Sequence, residues 1–168
     1  KSSDSGNIIN SPTGVINVTG KDSIGMYATG SLSTVTNKGT INLSGENTVG
    51  MYLDNGATGV NEGSIITIGA PKGVKGVVLS NNSKLINRAG ATININSADG
   101  FAIYRSNSAK TNVTIVNYGD ITVGGGAKVE GEFDAIGGGK ELEKTVGGVT
   151  LKSPKGTNDI NITANGNP

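Results

Sequence analysis

The stretch "NKGTINLSGENTVGMYLDNG", residues 37–56, decides the fold that this sequence predicts. Isoleucine, valine and leucine alternate in it with threonine, serine and asparagine, and glycine lies near both ends. Such alternation indicates β-strands with one buried face, and flanking glycine and asparagine indicate turns. The stretch is too short to be a domain, and similar stretches precede and follow it, so we predict a repeat array.

One strand motif occurs six times along the chain. Its copies are "VINVT" (15–19), "TINLS" (40–44), "IITIG" (65–69), "TININ" (92–96), "DITVG" (120–124) and "DINIT" (159–163). The first central apolar residues, spaced by 25, 25, 27, 28 and 39 residues, are Ile16, Ile41, Ile66, Ile93, Ile121 and Ile160. Alternation predicts that each of these residues, and the residue two places later, points into a core. The residues between them are predicted to point outward: Asn17, Asn42, Thr67, Asn94, Thr122 and Asn161.

Two further columns complete each repeat. One column contains "SIGMYA" (23–28), "TVGMYL" (48–53), "VKGVVL" (74–79) and "GFAIYR" (100–105). The strands of the other column end in asparagine, and a glycine comes two to four residues later. We interpret the asparagines of this column as a structural ladder: Asn37, Asn61, Asn87 and Asn117. Asparagine tolerates a positive φ at a bend, and stacked asparagines can hydrogen-bond along an axis.

Three short strands in about 25 residues predict one coil of a parallel β-helix. Helical repeats would need a 3.6-residue apolar period, and leucine-rich or blade-type repeats need signatures that this sequence lacks. We therefore predict an all-β solenoid of about six coils, with residues 1–168 forming one β-helix fragment of a longer domain. An irregular insertion over 124–152 accounts for the longer last interval.

The composition excludes several classes of function. Glycine accounts for 28 of the 168 residues, and the formal net charge is only +1, which gives no reason to expect nucleic acid as a partner. The chain has no cysteine and no histidine, which removes thiol chemistry and the commonest general base and metal ligand. Without a signal peptide or an apolar run that could span a membrane, the chain is predicted to be cytosolic or an excised piece, and we favour the latter.

Enzymes built on β-helices need clustered carboxylates. The acidic residues here are scattered over the predicted faces, so we expect no catalytic residue, no metal and no cofactor. The best local acidic cluster lies in the glycine-rich insertion. Because insertions in solenoids often carry binding, we treat its residues as a candidate binding loop: Lys128, Glu130, Glu132, Phe133 and Asp134.

Tyr27, Tyr52 and Tyr104 form a candidate binding surface, in one column with Val78. The tyrosines point inward if the methionines beside them lie between outward residues. They point outward if the alternation of Val49, Met51 and Leu53, with Phe101 and Ile103, defines the core; this second interpretation fits more residues. An exposed aromatic column could stack on sugars or on a protein partner, or merely cover the sheet under a loop.

Residues 37–65 resemble the repeats of outer-membrane autotransporter passengers of type V secretion, most closely those of the large fusobacterial surface adhesins. In these repeats "N-x-G-x-I-x-[VL]" and "[IV]-G-[MI]-Y" recur along a right-handed β-helix. The similarity covers residues 8–123 and, less clearly, 158–163, whereas Ala102 and residues 124–152 depart from the pattern. The resemblance implies a right-handed coil and a place at the bacterial cell surface. It also implies outer-membrane anchoring through a C-terminal β-barrel absent from this chain.

The residues and the resemblance together predict a section of a surface adhesin shaft. It would mediate or present attachment to host cells or other bacteria through a surface protein or glycan. The alternatives are a carbohydrate-active β-helix enzyme and a purely structural spacer. A cut rod exposes unpaired strand edges, so end-to-end self-association is a further expectation.

Overall fold

A computed structural model of the chain describes residues 2–3, 5–105, 113–129, 142–146, 149–153 and 161–165, with side chains over 5–105 and 113–127. Within these residues the secondary structure consists of strands and turns. No helix among them is long and apolar enough to cross a membrane.

The strands form three sheets, which we call A, B and C. Sheet A contains β1 (Ser2–Ser3), β4 (Ile24–Thr29), β7 (Val49–Asp54), β10 (Lys75–Leu79), β13 (Phe101–Arg105) and β16 (Lys128–Val129). Sheet B contains β2 (Asn7–Asn10), β5 (Thr34–Asn37), β8 (Thr58–Asn61), β11 (Lys84–Asn87), β14 (Val113–Asn117), β18 (Val149–Ser153) and β17 (Leu142–Val146). Sheet C contains β3 (Val15–Val18), β6 (Thr40–Leu43), β9 (Ser64–Thr67), β12 (Thr92–Asn96), β15 (Asp120–Gly124) and β19 (Asn161–Asn165).

The chain visits the three sheets in turn, and each strand pairs in parallel with its counterpart in the next coil. The predicted parallel β-helix is confirmed, but the structure shows about four turns rather than six. The difference arises at the two ends. There β1 and β16 are only two residues long, and β17 pairs antiparallel with β18.

The core is a set of aliphatic stacks that run along the axis between the sheets. Ile41, Ile65, Ile93 and Ile121 are fully buried and face one another through successive coils of sheet C. Each coil contributes similar aliphatic side chains at equivalent positions, so the packing is similar from one coil to the next.

The third coil corrects the predicted alignment of sheet C. Ile65, rather than Ile66, pairs with Ile41, so Ile66 lies in the outward column. Thr67 is in register with the buried Leu43 and is therefore not outward, whereas Ile68 is 49% exposed. The ladder asparagine that precedes the strand fixes this register. A buried isoleucine lies four residues after the asparagine in this coil, as it does in the other coils whose corner between sheets B and C has the same length.

The last copy of the motif is also shifted. Ile160 lies outside the described residues, and Ile162 is the residue in register with Ile121. In the insertion predicted over 124–152, the structure describes the strands β16, β17 and β18. Strand β18 extends sheet B beyond β14.

The corner between sheets B and C is organised by a ladder of asparagine side chains. The Nδ2 of Asn37 donates to Oδ1 of Asn61 (2.9 Å), Asn61 donates to Asn87 (2.9 Å), and Asn87 donates to Asn117 (2.8 Å). Asn10 begins the ladder with a 2.8 Å bond to Asn37. Each inner amide also donates to a backbone carbonyl of sheet C, such as Ser64 O from Asn37. The ladder therefore satisfies buried amides while tying each coil to the next.

Among the described non-glycine residues, positive φ angles occur at the other two corners and not at the ladder asparagines. The residues concerned are Asp22, Asn47, Asn55, Asn81, Asn82 and Asp99. Our backbone explanation for the ladder asparagines was therefore wrong. These positions use the amide for hydrogen bonding, whereas the left-handed turns use asparagine and aspartate for their tolerance of that conformation.

The glycine of the "IGMY" motif brings sheet A close to sheet C. A Cβ on Gly50 would lie 2.5 Å from Gly76 O in the next coil and 2.8 Å from Ile65 Cγ2. Since Met51 is also buried in the core, two consecutive positions face inward and the strand bends there. Ala102 is tolerated in this column because β16 pairs Lys128 with Phe101 and Val129 with Ile103, leaving no residue opposite it.

The facing in sheet C can be tested with neighbouring residues of β12. Ile93→Asn should lower the free energy of unfolding by about 3–5 kcal/mol, because it removes a buried aliphatic side chain and buries an amide without partners. Asn94→Thr, on the exposed side of the same strand, should be nearly neutral. Urea titrations that gave equal losses for the two variants would contradict the assigned register.

The ladder can be tested with one substitution at two sites. Asn61→Leu should cost about 2–4 kcal/mol, because it leaves Oδ1 of Asn87 buried without its donor and removes one of the two hydrogen bonds of Asn37 Nδ2. The same change at the exposed Asn94 should stay within about 0.5 kcal/mol of wild type. Thermal and urea unfolding would measure both, and a neutral Asn61→Leu would contradict a stabilising ladder.

Candidate binding surface

The tyrosine column lies on the outer face of sheet A. Tyr27 pairs with Tyr52, which pairs with Val78, which pairs with Tyr104. We call these four residues the aromatic strip. The residues immediately before them, Met26, Met51, Val77 and Ile103, are buried in the core. Side chains alternate along a strand, so the aromatic strip faces away from the core.

The rings of the strip pack against one another along the axis. The ring centroids of Tyr27 and Tyr52 are 5.5 Å apart, with a tilt of 38° between the planes. The tyrosines are half-buried, and Val78 is only 2% exposed although it lies on the outer face between Tyr52 and Tyr104. The strip is thus an apolar column in which the buried valine separates the rings of Tyr27 and Tyr52 from that of Tyr104.

Phe101 also belongs to the outer face, which corrects its predicted place in the core. Its ring centroid lies 4.8 Å from that of Tyr104, at 52° between the planes. Lys75, in register with Phe101, places Nζ 5.3 Å from the centroid of the Tyr104 ring. The bend at the glycine position explains the correction, because it puts the first residue of β4, β7, β10 and β13 on the outer face. Val49 is accordingly buried but is not part of the core cluster.

A row of polar side chains borders the other side of the strip. Thr29 and Asp54 follow Tyr27 and Tyr52 by two residues and share their face. Oδ1 of Asp54 accepts hydrogen bonds from the backbone N–H of Asn55 (2.9 Å) and from Nδ2 of Asn81 (2.8 Å). Nδ2 of Asn55 donates to Oγ1 of Thr29 (3.1 Å). We call Thr29, Asp54, Asn55 and Asn81 the polar rim.

The remaining predicted binding residues are those of the candidate loop. Glu130, Glu132, Phe133 and Asp134 of the candidate loop lie outside the described residues. Lys128 belongs to β16, where it is in register with Phe101.

Acidic side chains are spread along the rod and pair with lysines of neighbouring coils. The pairs are Lys21 with Glu46 (3.5 Å), Lys38 with Glu62 (3.8 Å) and Lys72 with Asp99 (3.3 Å). Within the described part of the chain, no three acidic residues come together in a way that could hold a metal ion. A shallow groove of about 230 Å³ on sheet C is lined by residues without a carboxylate: Asn94, Asn96, Thr122, Val123, Gly124 and Gly125.

Sequence reasoning found the tyrosines but missed Phe101 and the polar rim. Simple alternation assigned Phe101 to the core because it does not allow for a bend at a glycine. Thr29 and Asp54 end their strands, whereas Asn55 and Asn81 lie in the turns that follow, where the alternation of the strand no longer applies. Their signal is the recurrence of asparagine and aspartate directly after the sheet A strand, in "LDNG" and in "LSNN".

Comparison with known proteins adds one finding. Residues 1–64 match the model of a family described as the BigA third pectate lyase-like domain. This is a domain of a bacterial surface protein, so the N-terminal part of the chain is similar to a surface-protein domain. The matched residues include two tyrosines of the strip and three residues of the rim. No curated protein and no solved structure matches the chain.

Two neighbours in β7 test the facing of the strip. Met51→Ser should lower the free energy of unfolding by about 3–4 kcal/mol, since the methionine is fully buried. Tyr52→Ser should cost about 1–2 kcal/mol, because only part of its ring is covered. Chemical denaturation of both variants gives the comparison, and a larger loss for Tyr52→Ser would place the tyrosines in the core.

Proposed function

We propose that this chain is a section of a bacterial surface adhesin shaft that attaches to host cells or other bacteria through the outer face of sheet A. The proposal includes an outer-membrane autotransporter as the parent protein, on the basis of the repeat resemblance. The single observation that carries the attachment role is the aromatic strip. It is an aromatic surface bordered by polar side chains, whereas the outer face of sheet C is mostly asparagine, serine and threonine and the middle outward column of sheet B is mostly aliphatic, without aromatic rings.

The fold supports a presenting role. Every coil is held to the next by parallel backbone pairing in three sheets and by the asparagine ladder. Side chains on such a scaffold are fixed in position, so that a partner is bound without the cost of ordering them. The similarity of residues 1–64 to a surface-protein domain agrees with this role.

Binding is favoured over catalysis by the arrangement of the charged groups. Glu46 and Asp99 pair with lysines of neighbouring coils at the corner between sheets C and A. Glu62 pairs with a lysine at the corner between sheets B and C, and Asp54 accepts a hydrogen bond from Asn81 at the corner between sheets A and B. A β-helix hydrolase or lyase needs carboxylates gathered at one place. The name of the matched model nevertheless makes a polysaccharide-cleavage assay a necessary control.

The attachment role can be tested with two double variants. Tyr27→Thr with Tyr52→Thr should reduce binding of the labelled chain to host cells or bacteria about tenfold, because two stacked apolar rings are lost. Ile9→Thr with Val15→Thr is the matched control, since these residues are 53% and 58% exposed on the other two sheets. Flow cytometry would measure binding, and circular dichroism would establish that both variants remain folded.

The outcomes separate the competing functions. Equal binding by wild type and the strip variant would contradict attachment through sheet A. Absence of binding by the folded wild type would favour a structural spacer. Release of reducing ends from polygalacturonate or neutral polysaccharides would favour the enzyme.

A further inference from the structure

We propose that the aromatic strip and the polar rim together bind one linear, neutral polysaccharide chain lying parallel to the solenoid axis. This inference rests on the proposed attachment function and names its partner class. The binding platform is the pair of rings of Tyr27 and Tyr52 with the rim residues Thr29, Asp54 and Asn55 beside them.

The spacing of the rings matches the repeat of a glycan. Parallel strands lie about 4.8 Å apart, and the centroids of Tyr27 and Tyr52 are separated by 5.5 Å along the axis. One pyranose ring of an extended chain spans a similar length. A polysaccharide running along the strip can therefore place one sugar on each ring. A chain crossing the strip would meet only one coil.

The chemistry of the two rows matches the two sides of a sugar. The face of a pyranose ring carries C–H groups that pack on an aromatic ring, whereas its hydroxyls project sideways. On this rod, the aromatic rings and the hydrogen-bonding groups lie in adjacent columns of one face. A sugar packed on the exposed part of the Tyr52 ring would therefore direct hydroxyls toward the carboxylate of Asp54 and the amide of Asn55.

The rim is also held in place before any ligand binds. Asp54 is oriented by two hydrogen bonds through Oδ1, and the amide of Asn55 is fixed against Thr29 in the preceding coil. Groups ordered in advance lose little conformational entropy on binding. The carboxylate of Asp54 would repel a uronate, which makes a neutral chain the better partner.

Val78 limits the platform to two adjacent rings. It lies in register between Tyr52 and Tyr104, at 2% exposure, where the neighbouring coils carry tyrosine. Val78→Tyr would join Tyr27, Tyr52 and Tyr104 into four consecutive rings. A longer glycan would then gain one more stacked sugar and reach Tyr104, whereas a disaccharide would gain nothing.

The experiment uses the whole chain and a panel of linear hexasaccharides. The neutral probes are β-1,4-glucan, β-1,4-mannan, β-1,4-galactan and β-1,3-glucan, and the acidic probe is oligogalacturonate. We expect at least one neutral hexasaccharide to bind in isothermal titration calorimetry, with an affinity similar to that of its disaccharide, because two sugars already cover the two adjacent rings. Tyr52→Thr should abolish this binding, and the control Val15→Thr should leave it unchanged.

The Val78→Tyr variant is expected to bind more tightly than wild type, and a loss of stability could not produce that result. Val78→Tyr should increase affinity for the neutral hexasaccharide about tenfold, with no change for the disaccharide. Binding of oligogalacturonate alone, or equal gains for both chain lengths, would overturn the inference.

Failure of this inference can be distinguished from failure of the proposed function. If the chain binds cells through the strip, but no hexasaccharide binds or competes, the partner is a protein, and only the glycan inference is wrong. If neutral glycans bind in solution but cells do not, the attachment function is wrong and the glycan inference stands. If neither cells nor glycans bind, both are wrong.

Discussion

Backbone hydrogen bonding between successive coils is the constraint on which the rest of this structure depends. It holds equivalent strands about 4.8 Å apart, so each residue has the residues of its own column as its nearest neighbours along the axis. A side chain is therefore selected for how well it stacks on its counterparts. Isoleucine on isoleucine, asparagine on asparagine and tyrosine on tyrosine are three solutions to that requirement, in the core, at a corner and on the surface.

The same constraint explains what could be predicted from the sequence. Period, strand type and the inward columns of sheet C follow from alternation, and these predictions hold in the described coils where the strand offers only one alternating register. Ile66 was misassigned because "SIIT" offers two adjacent isoleucines and alternation alone cannot choose between them. The choice is made by Asn61, whose buried amide is tied to Asn37 and Asn87 and so fixes where β9 begins. Counting from the asparagine would have selected Ile65.

The candidate site was only partly predictable, for a related reason. The tyrosine column is visible because it is part of a repeating strand. Phe101 and the polar rim depend on local backbone geometry: a bend at a glycine in one case and left-handed turns at Asn55 and Asn81 in the other. Such features have no period of their own. They become evident only when coils are stacked and residues distant in the chain, such as Asp54 and Asn81, come into contact.

The direction of the asparagine ladder has a mechanical consequence. Every amide from Asn10 to Asn87 donates to the coil that follows it, so these bonds, like those of the three sheets, run along the axis. A rod pulled along its axis would carry the load through all of these bonds in parallel at each coil boundary. Separating two coils then requires breaking a whole layer of bonds at once. The resistance to rupture depends on the number of hydrogen bonds in one layer. Each added coil lengthens the rod without weakening the bonds between any two coils.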